Sequence, residues 1–368
     1  MLSKEEIQRY QRHFPLPDFG VEAQEKLKKS KVLIVGCGGL GNPVSSYLAA
    51  SGVSCIGLID SDVVSISNLQ RQILYKEQEI GISKVRLTAQ KLKELNHHVE
   101  IEEYNLNLNS KNALSIIDKF DLVIDCTDNF PTRYLINDAC ILQNKPFIYG
   151  SIYQYEGQVA VFNVNKSANY RDLYPTPPNP ESVPDCEIGG VLGTLPGIIG
   201  SIQANEAIKV ICGIGQPLIE KLFIFDSQSM ETRVIKIKNT NARDTITGLI
   251  DYEEFCHPNK NKMVKEITVK ELHEMIENKE DFQLIDVREP HEVEIATLDG
   301  ELIPLGDIPQ NEDKIAKNKK VVVHCRSGAR SGQAIQYLQG KLGLENLYNL
   351  KGGILAWADE IDPSMEKY

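Results

Sequence analysis

Apolar residues fall along this chain in two rhythms. Short unbroken runs at 32–35 and 55–59 read as buried parallel strands, because a strand covered on both faces needs no polar alternation. A helix-length segment of small and apolar residues, 43–51, lies between them. Further strands are expected at 99–104, 121–125, 146–150 and 157–164, the last of them antiparallel. Helices are expected at 3–13, 20–29, 83–95 and 198–212, the first opened by a capping box of Ser3 and Glu6. Around 239–262 the pattern turns polar and reads as a linker with a partly ordered middle. A new alternation then begins: a helix after 267, strands ending near Asp286 and at 320–324, and a helix at 331–341. The expectation is an α/β chain, with a Rossmann-like nucleotide-binding domain built on a mixed sheet over 1–238. A smaller α/β domain follows over 263–368.

The joints between these elements carry the candidate chemistry. Gly36, Gly38, Gly39 and Gly41 form a turn between the first strand and its helix, and Asp60 closes the second strand. Strand, glycine turn, helix, strand and acid is the order of a mononucleotide-binding unit, with phosphates at the helix N-terminus and the acid on the ribose. A glycine turn alone serves equally to pack a helix on a strand, and Asp60 or Asp62 equally to cap a turn. Asn68, Gln70, Arg71 and Gln72 then form a dense polar set just past the nucleotide edge. An arginine there suits a leaving pyrophosphate, whose charge it neutralises in a bidentate manner. Lys84 opens a helix, where a cation opposes the macrodipole, so it is expected to meet an anion. Asp125 and Asp128 end a further strand on the same edge, and carboxylates beside a triphosphate suit magnesium.

Composition narrows the setting. A length of 368 residues favours two or three domains, and a net charge of −11 without clustered Lys and Arg gives no nucleic-acid footprint. No apolar run approaches the roughly 18 residues of a membrane span, and the first residues lack the apolar centre of a signal peptide. A cytoplasmic location with no membrane partner is expected. Eight scattered cysteines do not make a disulfide framework. Cys37, Cys55, Cys126, Cys140 and Cys212 lie in apolar patterns and read as core. Cys325 differs, since it sits where a strand meets a helix, in a loop with Arg326, Ser327, Gly328, Ala329 and Arg330. Successive N–H groups, a helix N-terminus and a cation there each stabilise a thiolate.

The segments RYQRH, GCGGLG, LIDSD, SNLQRQ, GISK, DCTDNFPTRYLINDAC and EGQVAVF stand in one order over about residues 5 to 237. In this they resemble the ThiF/MoeB/HesA-type adenylyltransferases, prokaryotic relatives of ubiquitin-activating enzymes. The resemblance implies ATP with Mg2+ rather than NAD. It also implies that the C-terminal glycine of a ubiquitin-like sulfur carrier, ending Gly-Gly, is joined to AMP. Carried over, Asp60 is the ribose ligand, Asn68, Arg71 and Lys84 contact the triphosphate, and Asp128 holds magnesium or the reacting phosphate region. Arg12 matches an arginine supplied across a homodimer. Cys186 falls in a mobile crossover loop, where in several relatives a cysteine takes part in sulfur or thioester transfer. Many members hold structural zinc with two C-x-x-C pairs. Here those segments read Asn169-Tyr-Arg-Asp172 and Cys256-His-Pro-Asn259, so that zinc is not expected.

The C-terminal domain resembles the rhodaneses through LIDVREPHE, the CRSGAR loop and LKGGILAW. That implies a persulfide on Cys325, loaded by a donor such as a cysteine desulfurase. Asp286 and Arg288 are expected to fix loops rather than react. The joint expectation is adenylation of the carrier followed by sulfur transfer to a thiocarboxylate, with a mobile linker letting the domains approach. Adenylation alone beside an independent rhodanese, an NAD oxidoreductase, and a non-catalytic module for ubiquitin-like tails are the alternatives. Molybdopterin, thiamine thiazole and tRNA thiolation pathways all use such activators.

Overall fold

The computed structural model describes residues 1–178, 190–256 and 264–368. The chain divides after Cys256 into two compact units.

The first unit is built on an eight-stranded sheet in the order β3-β2-β1-β4-β5-β6-β7-β8. Its strands are β1 (Lys31–Val35), β2 (Cys55–Ile59), β3 (Glu100–Tyr104), β4 (Leu122–Asp125), β5 (Phe147–Tyr153), β6 (Glu156–Phe162), β7 (Lys221–Asp226) and β8 (Thr232–Lys236). The five strands from β3 to β5 run parallel, and β6, β7 and β8 continue the sheet antiparallel. The expected mixed sheet is therefore present. Alternate residues of β1 enter different cores, Val32 and Ile34 on one face and Leu33 and Val35 on the other. That two-sided burial is why the strand reads as an unbroken apolar run.

The helices of this unit are α1 (Lys4–Tyr10), α2 (Gly20–Leu27), α3 (Gly41–Ser51), α4 (Lys84–Leu95), α5 (Ala113–Ile117), α6 (Phe130–Leu142), α7 (Tyr170–Leu173), α8 (Leu195–Cys212) and α9 (Tyr252–Cys256). The Ser3–Glu6 capping box forms in both directions. Yet α1 stops at Tyr10, earlier than the periodicity suggests. Tyr10 is buried and its hydroxyl accepts from Asn96 Nδ2, while Pro15 and Pro17 follow closely, so Arg12 sits in a turn. The polar stretch 239–262 is not uniform. Its α9 carries Tyr252 and Cys256 into the same core as β4 and α6, and the Tyr252 hydroxyl donates to Asp138 Oδ2 at 2.8 Å. Composition reports the solvent-facing residues among 239–256 and misses the few that pack.

The second unit is a five-stranded parallel sheet in the order β11-β10-β12-β13-β9. Its strands are β9 (Lys265–Ile267), β10 (Phe282–Asp286), β11 (Glu301–Leu302), β12 (Lys320–His324) and β13 (Leu347–Leu350). Its helices are α10 (Val269–Glu277), α11 (Pro290–Val293), α12 (Ala329–Leu342) and α13 (Gly353–Glu360), with separate apolar cores on the two faces of the sheet. Among the described residues no helix is long and apolar enough to cross a membrane.

Candidate functional site

In an open parallel sheet a crevice forms where neighbouring connections leave in opposite directions, here between the C-terminal ends of β1 and β4. A cleft of about 550 Å³ lies there. Gly36, Gly38, Gly39, Asp60, Arg71, Lys84 and Asp128 all line it. Gly41, Asn68 and Arg12 do not. Asn68 is turned into its own loop, where Oδ1 accepts from the Ser65 N–H at 3.2 Å. Arg12 is exposed away from the cleft. Cys186 lies outside the described residues.

Three of the glycines divide into two kinds. A Cβ on Gly41 would sit 2.0 Å from the Gly36 carbonyl oxygen, so this glycine lets the helix press onto the strand. Gly36 has φ +100° and a Cβ there would lie 2.6 Å from Cys126 O. At Gly38, by contrast, a Cβ would meet only Gln72 Nε2, at an ordinary 3.5 Å, and would otherwise project into the cleft. No side chain caps α3, which starts beside it, so a ligand can reach the N–H groups of its first turn. Gly38→Ala is therefore expected to leave denaturant stability within about 0.5 kcal/mol and to weaken ATP binding at least about tenfold. Gly41→Ala should instead cost about 1–3 kcal/mol of stability. Parallel urea and ATP titrations of the two variants check this, and equal ATP affinity in wild type and Gly38→Ala would refute it.

Asp60 is held by the turn it faces. Its Oδ2 accepts from the Cys37 N–H and its Oδ1 from the Asp62 N–H, each at 2.8 Å. Burial raises its pKa, and these two N–H groups oppose that rise. Each oxygen keeps a second lone pair that a ribose hydroxyl can use. Lys84 does meet an anion within the chain. Its Nζ lies 2.8 Å from Asp62 Oδ2, with Lys84 buried and Asp62 two-thirds exposed. Arg71 donates to the Ser67 carbonyl through Nη1.

Asp125 departs from expectation. The strand pattern puts it with Asp128 on the ligand edge, but its side chain is fully buried behind the strand end, and of the two only Asp128 reaches the cleft. Thr127 donates to Asp125 Oδ1 through both its N–H and its hydroxyl, while Oδ2 has no hydrogen-bond partner. Burial raises this carboxyl's pKa, with the nearby Arg133 offsetting part of the rise. Sequence reasoning also missed Asn107 and Asn109, which line the cleft from beyond β3. The strand order β3-β2-β1, which only the structure shows, brings all three strand ends to one edge and these residues with them.

The segments compared with zinc-binding C-x-x-C pairs hold other contacts. Asn169 caps α7, accepting from the Arg171 N–H, and Asp172 Oδ2 accepts in return from the Asn169 N–H. Arg171 binds both oxygens of Asp138, at 2.8 and 2.7 Å. Burial pushes the Cys256 thiol up to about 12, which keeps it protonated at neutral pH. His257, Pro258 and Asn259 lie outside the described residues. The donors that are described do not suit a closed thiolate zinc site.

In the second unit Cys325 follows β12 directly and is 1% exposed. The Gly328 N–H donates to its Sγ at 3.2 Å, and the Ser331 hydroxyl lies 3.4 Å from the sulfur and 2.7 Å from Asn349 Oδ1. Gly328 has φ +94° and opens α12 without a side-chain cap, so the helix N-terminus faces the thiol. The GG step of LKGGILAW explains itself sterically. A Cβ on Gly353 would fall 2.4 Å from Cys325 O, and the Ile354 N–H donates to that same oxygen. Arg326, Ser327 and Ala329 stand exposed at the loop's mouth. Arg330, one of the two arginines of the loop, is committed to Glu292 through two 2.6 Å contacts, which hold the Glu292 carboxyl down to about 2. The N–H groups and the helix terminus are thus positive features around the sulfur that no carboxylate offsets, and Arg326 instead donates to the Tyr368 carbonyl oxygen. Arg288, fully buried, binds both oxygens of Asp286 and the carbonyl oxygens of Glu292 and Ala296, which suits loop fixing.

His324 precedes Cys325 and is fully buried, with neither ring nitrogen hydrogen-bonded. Burial drives its pKa down to about 4, against the pull of Asp286 at 3.7 Å and aided by Arg288. The unfolded imidazole takes a proton below about pH 6.5, and the folded one only near pH 4. Between those values the unfolded state binds more protons, so stability falls as pH falls, by about 3 kcal/mol in all. Trp357, the chain's single tryptophan, reports this unit. Its fluorescence should give a lower urea midpoint at about pH 4.5 than at about pH 7. An unchanged midpoint would exclude a buried neutral imidazole.

Comparison with known proteins fits both units. Residues 10–246 match the model of the ThiF family, and residues 268–360 match that of the rhodanese-like domain. The chain belongs to the ThiF family. It is 41% identical to the "Probable adenylyltransferase/sulfurtransferase MoeZ" of Mycobacterium tuberculosis over 379 aligned residues, covering 100% of this chain and 96% of that one. It is 39% identical to "Adenylyltransferase and sulfurtransferase MOCS3" of Xenopus laevis, covering 100% of this chain and 89% of that one. Among solved structures, E. coli MccB crystallised with ATP superposes with a TM-score of 0.56 at 26% identity, over 63% of this chain and 71% of that one. The protein is an enzyme that joins an adenylyltransferase to a rhodanese sulfurtransferase.

Proposed function

We propose that the first unit adenylates the C-terminal glycine of a ubiquitin-like sulfur carrier ending Gly-Gly, and that Cys325 then supplies its sulfur. The observation that carries this is the single cleft gathering Asp60, Arg71, Lys84 and Asp128 around a glycine turn open at Gly38. The carrier's carboxylate attacks the α-phosphorus of ATP, and the bond to the β-phosphate oxygen breaks to release pyrophosphate. Asp60 orients the ribose. Arg71 and Lys84 stabilise charge on the phosphates, with Lys84 exchanging Asp62 for them. Asp128, an exposed carboxylate on the cleft wall, suits Mg2+, which supplies further charge neutralisation. Arg12, exposed and off its own cleft, serves the cleft of a second copy in a homodimer.

The terminal sulfur of a Cys325 persulfide, loaded by a donor such as a cysteine desulfurase, attacks the acyl carbon and expels AMP. The product is an acyl persulfide. The Cys186 thiolate then attacks the Cys325 sulfur, releasing the carrier thiocarboxylate and leaving a Cys186–Cys325 disulfide. An external dithiol reduces that disulfide. The setting is the cytoplasm, and the carrier belongs to a molybdopterin, thiamine or tRNA-thiolation type of pathway. The test is carrier-dependent exchange of labelled pyrophosphate into ATP, with mass spectrometry of the carrier after adding a persulfide donor. Absence of exchange with every Gly-Gly carrier tried, together with tight NAD binding, would sink the reading.

Stable folding without thiolate-bound zinc is a further expectation, because Arg171, Asp138 and Tyr252 tie α6, α7 and α9 together directly. Elemental analysis should find no zinc dependent on Cys256. An equivalent lost in Cys256→Ser would overturn this.

A further inference from the structure

A cluster in the first unit that does not line the cleft stands without a role. Glu5 on α1 faces His97 and His98, which follow the end of α4. Glu5 Oε1 lies 3.4 Å from His97 Nε2, and Glu5 Oε2 lies 3.7 Å from His98 Nε2. The two imidazole rings are 4.1 Å apart between centroids. One donor atom from each residue falls within 4.8 Å of the other two. None of these three donor pairs is joined by a hydrogen bond. His98 Nε2 is enclosed from solvent and has no hydrogen-bond partner.

We propose that Glu5, His97 and His98 form a binding site for one first-row divalent cation of the zinc class. The spacing carries the argument. Donors about 2.0–2.2 Å from a zinc ion at tetrahedral angles stand about 3.4 Å from each other. Glu5 Oε1 to His97 and Glu5 Oε2 to His98 are each near that value, so one carboxylate faces both imidazoles at about ligand spacing, and a single donor from each residue lies within 4.8 Å of the other two. Two imidazoles and one carboxylate suit Zn2+, Cu2+ or Ni2+ rather than Mg2+ or Ca2+. The exposed side of the cluster leaves the fourth position to water.

The ligands are held ready by their supports. The Ser3–Glu6 capping box fixes the first turn of α1, in which Glu5 lies. Arg9 Nη1 donates to Leu95 O, and Asn96 Nδ2 donates to the Tyr10 hydroxyl and to Ala49 O. Asn96 Oδ1 also accepts from the His98 N–H, which sets the course of the turn. Bound metal would therefore clamp α1 to the end of α4, and with it the turn that carries Arg12. The site does not depend on the adenylation reading.

The test uses the full chain stripped of metal by chelation and dialysis, titrated with ZnCl2 by calorimetry and with CoCl2 by absorption. One equivalent should bind, and the cobalt spectrum should show d–d bands without a sulfur charge-transfer band. Cys256→Ser should bind the same equivalent. Glu5→Gln and the double variant His97→Ala/His98→Ala should lose it while keeping the wild-type circular dichroism of the metal-free chain. The wild-type thermal midpoint should rise with ZnCl2, and that of the double variant should not. Three results each overturn the site: no binding by the wild type, a sulfur charge-transfer band, or an equivalent retained by the double variant.

Discussion

Replacing Cys325 by serine is expected to reduce carrier thiocarboxylate to background while carrier-dependent ATP–pyrophosphate exchange continues at the wild-type rate. A serine oxygen cannot hold a sulfane sulfur that a second nucleophile or acyl group then removes. The substitution should cost little in folding. Cys325 is buried, but a serine oxygen can accept from the Gly328 N–H as Sγ does, while the Ser331 hydroxyl proton stays on Asn349 Oδ1. The split between the two readouts matters most. Loss of thiocarboxylate with exchange intact ties the rhodanese loop to the carrier. Unchanged thiocarboxylate in the presence of a persulfide donor would mean that sulfur reaches the carrier by another protein and that the rhodanese acts independently.

Lys84→Met is expected to lower the exchange rate about 10²–10³-fold, the usual scale for removing one preorganised charge from a phosphoryl or acyl transition state. The competing explanation is structural, because Lys84 is ion-paired with Asp62. The two readings separate in a comparison. Asp62 is two-thirds exposed, so losing its partner leaves it solvated, whereas Asp62→Asn leaves the buried Lys84 ammonium without a counter-charge except when phosphates are bound. If the pair were the whole role of Lys84, Asp62→Asn would do as much damage as Lys84→Met. If Lys84 leaves Asp62 for the phosphates, Asp62→Asn should change exchange by less than about tenfold. Equal losses in the two variants would remove Lys84 from the phosphate site. Thermal unfolding of both variants guards against a trivial folding defect.

The comparison of Lys84 with Asp125 shows how far local reasoning reaches. Lys84 stands out as a cation at a helix start, and Asp125 as a carboxylate at a strand end on the nucleotide edge. For Lys84 the misfit with the helix dipole pointed to an anion, and one is present at 2.8 Å. For Asp125 the edge argument failed. The residue closes the buried strand β4 pointing inward, and Asp128, three residues on, is the carboxylate that reaches the cleft. Position along a strand end is legible in a sequence, whereas the direction of the last side chain depends on which face is covered. Glu292 was invisible for a related reason. It lies 38 residues from Arg330, and only the packing of α11 against the loop brings the two together.

The sequence by itself determined the alternation of strands and helices, the glycine turn with its acid, and the thiol at a strand–helix joint. These follow from periods of two and 3.6 residues and from the backbone needs of glycine, which act within a few residues. The tertiary structure alone decided which glycine bears packing and which opens on the cleft, which carboxylate is exposed, that Arg330 is neutralised, and that α9 belongs to the first core. It also brought Glu5 to His97 and His98 across more than ninety residues. Those outcomes depend on which surfaces meet when the sheet is closed by its helices. Charge pairing and steric clearance are set there, at distances in the chain that no local pattern spans.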